Sequence, residues 1–116
     1  MAIDKPLTSF FGATATQTAT TVTFTKADLR SLRTPPAFTA LAPLLINTGE
    51  SLVTAILLRS WEEQDTSQDS QLSIFGPEVS LVEVVSDGVA KPFEQYVFQV
   101  RILVPRGVAM PNPNSI

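Results

Sequence analysis

The chain has 116 residues and a formal net charge of −3, with no cysteine and no histidine. Disulfides, thiolate chemistry, cysteine-based zinc sites and every mechanism built on an imidazole base or ligand are therefore excluded. The length suits one small domain, and no apolar run is long enough to cross a bilayer.

Residues 1–19 read as an extended N-terminal arm. They hold Asp4 and Pro6 where a secretory signal would need an unbroken apolar core, so no secretion signal is expected. The arm's only large anchors are Phe10 and Phe11, followed by an Ala/Thr tract without helical period. Thr20 to Thr25 alternates, with Val22 and Phe24 on one side and threonines on the other, and predicts a half-buried strand. Thr25-Lys-Ala-Asp28 resembles a helix start, with Ala27, Leu29 and Leu32 to bury, and Pro35-Pro36 ends it. Pro35 to Ile46 reads as irregular or short helical cover.

The main helix is expected over about 48–63. Asn47 and Glu50 have capping-box spacing, and Leu52, Val53, Ile56, Leu57 and Trp61 form one apolar stripe to be buried. Leu58 falls on the opposite, more polar side, where a partner can reach it. Asp65 to Gln71 is a polar loop whose acids lack calcium-loop spacing. Leu72 to Phe75 and Glu78 to Val85 are strand-like, interrupted by Gly76-Pro77. Ser86-Asp87-Gly88 signals a turn, with loop expected to Pro92. Phe93 to Pro105 then alternates, placing Tyr96, Phe98, Val100, Ile102 and Val104 on one face to be buried, in antiparallel pairing with Glu78 to Val85. Residues 105–116, with three prolines, read as an extended Pro/Asn-rich tail.

The expected fold is α+β: a small single domain over 20–104, an antiparallel sheet packed on one main helix and flanked by the two extended ends. An all-β sandwich is the alternative. No constellation of residues points to catalysis. The acids Glu62, Glu63, Glu83 and Glu94 show no specific pairing, and an ion pair with Arg101 is the simple explanation of Glu83. The isolated glycines make no phosphate cradle, and the cations Lys26, Arg30 and Arg33 are too few to suit nucleic acid. No cofactor, metal, small-molecule substrate or membrane partner is expected.

What remains is a protein that binds protein. Charge runs basic, then acidic, then basic along the chain, a pattern that suits self-association. The expectation is a non-enzymatic structural protein forming homo-oligomers within a larger assembly. A virion component of a tailed phage fits this description, as a capsid decoration protein or a small tail or neck protein. Phe10, Phe11, Leu58, Arg106 and Pro111 are its expected partner-binding residues. A soluble cytoplasmic binding module or adaptor is the alternative.

Overall fold

The computed structural model of the protein describes residues 5–64, 71–103 and 113–115, and the chain divides into two units, Met1–Ser70 and Gln71–Ile116. The class is α+β, with one main helix and two antiparallel two-stranded sheets.

The N-terminal unit begins with α1 (Thr8–Phe11), a single helical turn where an extended arm was expected. The turn lies against the main helix, and the Phe11 ring meets that of Phe24 at 5.6 Å between centroids. Gly12 ends the turn at φ +100°, and a side chain there would sit 2.5 Å from Asp28 Cβ, so this position requires glycine.

Strands β1 (Thr16–Gln17) and β2 (Val22–Thr23) pair antiparallel, a much shorter ladder than the alternation of residues 20–25 suggests. Threonine hydroxyls explain the curtailment. Thr18 accepts from the backbone of Thr20 and Thr21, and Thr14 donates to the Asp28 carboxylate, so local bonds replace ladder bonds. Val22 is exposed and Phe24 half-buried. Lys26–Asp28 makes only one 3₁₀ turn, without a side-chain cap from Thr25. Leu29 after it is fully buried, but Leu32 and Ala27 are exposed. Residues 35–46 are irregular, and Leu44, Leu45 and Ile46 project into solvent.

The main helix, α2 (Gly49–Glu62), is capped by Thr48, whose hydroxyl accepts from the Ser51 backbone at 3.1 Å. The cap is therefore one residue later than the Asn47 expected. Asn47 instead accepts from Leu44 N–H and donates to Ala42 C=O, closing the preceding loop. The buried stripe also differs from the apolar one. Ala55, Arg59, Ser60 and Glu62 are buried, Val53 is 67% exposed, and Leu52, Ile56, Leu57 and Trp61 are half-buried. A charged face can go inside when its charges pair and its remaining lone pairs are satisfied, and small Ala55 lets the neighbouring chain approach closely.

The C-terminal unit is a long hairpin, β3 (Leu72–Ser86) and β4 (Val89–Ile102). Asp87 and Gly88 form its tip at φ 52° and 77°, a type I′ turn whose twist matches that of the strands. Residues 89–92, expected in a loop, belong to β4. Gly76 and Pro77 together oppose Phe98, so the interruption in β3 is a one-residue bulge within a continuous strand. Pro113–Ser115, expected extended, form one 3₁₀ turn.

Candidate functional site

Cross-strand register sets the faces of the hairpin. Val79 opposes Tyr96, Leu81 opposes Glu94, Glu83 opposes Pro92 and Val85 opposes Ala90. Alternation extends this face to Phe98, Val100 and Ile102, so the residues expected to share a face do share one. Their burial differs from expectation: Tyr96 is 56% exposed, Val100 and Ile102 are exposed, and Phe98 is half-buried. Val104 lies outside the described residues. The opposite face carries Val82, Val84, Phe93 and Val97 among Ser80, Lys91 and Gln95. From Glu78 to Val97 every residue except Val82 is exposed, Leu81 to 78%.

Few polar contacts decorate this surface. The Tyr96 hydroxyl donates to Glu94 at 2.7 Å, and the carboxylate beside it raises the phenol pKa. Arg101, expected to pair with Glu83, instead opposes Ser73 and lies 5.2 Å from the centre of the Phe75 ring. Glu83 and Glu94 are both exposed.

The densest polar cluster belongs to the N-terminal unit. The Glu62 carboxylate accepts from the Ser31 hydroxyl and, at 2.9 Å, from Leu32 N–H, with Arg59 Nη1 at 3.5 Å and Arg33 Nε at 4.0 Å. Arg33 also donates to the Glu62 carbonyl, and Ser31 Oγ accepts from Ala37 N–H, so the 31–37 loop is pinned to the end of α2. Arg59 bonds Glu63 at 2.6 Å, and its Nε is buried without a hydrogen-bond partner among the described residues. Burial acts to raise the Glu62 pKa. The bonds from Ser31, Leu32 and Arg33, with the Arg59 charge, outweigh it and hold the carboxyl below its usual value. Apart from Arg59 Nε, these groups bond one another, which makes the cluster a structural clamp.

A depressed folded-state pKa fixes the sign of a pH effect. The stabilisation from Glu62 is complete above the unfolded-state value of about 4.3 and is lost as pH falls through the folded value. The thermal midpoint should therefore fall as the pH is lowered below about 4.3, and Glu62→Gln should lose less over the same acid range. Equal losses in the two proteins would contradict the assignment.

Of the expected partner-binding residues, Phe10 and Phe11 are half-buried in α1. Leu58 is half-buried in an open cleft with Ala55, Thr54 and Leu41. Arg106 and Pro111 lie outside the described residues, as do Asp65 and Asp69. The exposed hairpin is not singled out by sequence reasoning because its alternation reads equally well as core. Lys26 and Arg33, two of the cations considered for nucleic acid, are engaged within the protein, Lys26 donating to Leu44 C=O at 3.0 Å and Arg33 to Glu62. Among the described residues no group of acids is arranged to hold a metal ion, and no helix is long and apolar enough to cross a membrane. No protein family, curated protein or solved structure matches the chain.

Proposed function

We propose that the chain is a non-enzymatic structural protein that assembles with copies of itself, and that its setting is a repeated protein architecture such as the virion of a tailed phage. The observation that supports this is the exposed hairpin. A two-stranded ribbon is at best marginally stable in water, and this one exposes apolar side chains on both faces over Glu78 to Val97. Contiguous apolar surface of this kind is characteristic of protein interaction sites. The acids Glu83 and Glu94 both lie exposed on this open ribbon, outside any enclosed pocket of the kind that holds a substrate, which favours assembly over chemistry.

Sedimentation velocity over a wide concentration range, with electron microscopy of the largest species, tests this. Defined oligomers whose population and thermal midpoint rise with concentration are expected. A monomer at every concentration contradicts the proposal, and a monomer that captures extended peptides favours the adaptor alternative.

A further inference from the structure

We infer that the hairpin is completed by strand pairing between copies, β3 of one copy lying antiparallel to β4 of the next, head to tail. This rests on the reading that the chain self-assembles and specifies the contact that does it. The turn supplies the geometry. In a two-residue hairpin the residues flanking the turn, here Ser86 and Val89, exchange both backbone bonds, and every second pair beyond them does the same. The odd-numbered residues from Val79 to Val85 on β3 and the even-numbered residues from Ala90 to Tyr96 on β4 therefore aim their N–H and C=O groups away from the hairpin. Neither edge is covered by another strand among the described residues. Such edges are templates for pairing, and neither carries the dense charge that commonly blocks it.

Three ways of joining two edges exist, and the side chains distinguish them. Over Glu78 to Ser86, β3 carries the acids Glu78 and Glu83 and no cation, so joining β3 to β3 brings two acidic edges together. Joining β4 to β4 sets two copies of Pro92 on one seam. Pro92 lies in a pair that exchanges no bonds across the hairpin, so its missing N–H faces outward, and such a seam lacks a donor on both sides. Either symmetric pairing also leaves the other edge of each copy open. Joining β3 to β4 matches an acidic edge with the strand that carries Lys91 and Arg101 against the single acid Glu94. It meets only one donor gap per seam, and it uses both edges of every copy inside the repeat.

The cysteine-free chain makes the seam directly testable. Leu81→Cys on β3 and Glu94→Cys on β4 are prepared with tags of different mass, mixed under assembling conditions and treated with a short bismaleimide. The inference expects cross-links joining the two variants to dominate, with little product from either variant alone. Dominant β3–β3 or β4–β4 products overturn it, as do oligomers that yield no strand cross-link, and in both cases self-assembly itself stands. Absence of any oligomer removes the self-assembly reading as well. A second variant avoids dependence on labelling. Leu81→Pro deletes an outward N–H but no bond within the hairpin, as Pro92 already does on β4. It should leave the β signal of the circular dichroism spectrum unchanged while raising the dissociation constant of the assembly about tenfold or more. Wild-type assembly by Leu81→Pro overturns the inference.

Discussion

Replacing Glu62 with alanine is expected to destabilise the protein by about 3 kcal/mol, measured as a lower urea midpoint with the slope unchanged. Glu62 is 5% exposed, and its carboxylate serves the Ser31 hydroxyl and Leu32 N–H at once, beside the guanidinium of Arg59. Its removal strands a hydroxyl, a backbone donor and part of a charge that is itself 4% exposed. Arg59 keeps Glu63 at 2.6 Å, which is why the loss belongs at the lower end for a broken buried pair. Arg33 keeps its bond to the Glu62 carbonyl, so the loop should loosen before the helix does. A loss below about 1 kcal/mol is the size expected of a surface pair, and it would show that the cluster is hydrated in solution.

Leu29→Ala should be comparably damaging, at about 2 to 5 kcal/mol, because Leu29 is the one large side chain wholly removed from solvent among the described residues. It follows the 3₁₀ turn of Lys26–Asp28, and its carbonyl accepts from Leu41 N–H at 3.4 Å. Truncation therefore opens a void where two loop segments meet, and a small core has little else to absorb it. Leu45→Ala, which removes the same atoms from a side chain 97% exposed, should stay within about 0.5 kcal/mol. Equal effects from the two substitutions would contradict the burial assigned to Leu29.

Much of the architecture can be read from local chemistry. The extent of α2, the Asp87-Gly88 tip and the shared face of Tyr96, Phe98, Val100 and Ile102 follow from capping, turn preference and period. What the sequence hides depends on distant partners. Arg59 and Glu62 look like a solvated face until Ser31 and Leu32, some thirty residues earlier, supply the bonds that let them go inside. Pro92 reads as a strand breaker until the register shows that its absent donor points away from β3. Phe10 and Phe11 read as partner anchors by their size, and nothing in the sequence shows that the turn carrying them packs on α2 or that the Phe11 ring meets Phe24. The candidate surface was the least legible, since alternation tells which side chains share a face and nothing about whether that face is covered.

The tight tip at Asp87 and Gly88 also orders events in time. Pairing begins at Ser86 and Val89 and propagates through neighbours already in place as far as Leu72 and Ile102, so no long loop must close first. Hairpins of this kind form in about 1 to 10 μs. Two copies at micromolar concentration, associating at typical protein rates, meet productively only about 0.1 to 10 times per second. Register within a chain is thus settled about four to seven orders of magnitude sooner than any contact between chains, so under the proposed self-assembly each copy would meet its neighbour as a hairpin. Under that proposal, docking of preformed ribbons should outpace exchange of single strands between copies, because closure of the hairpin is the faster step.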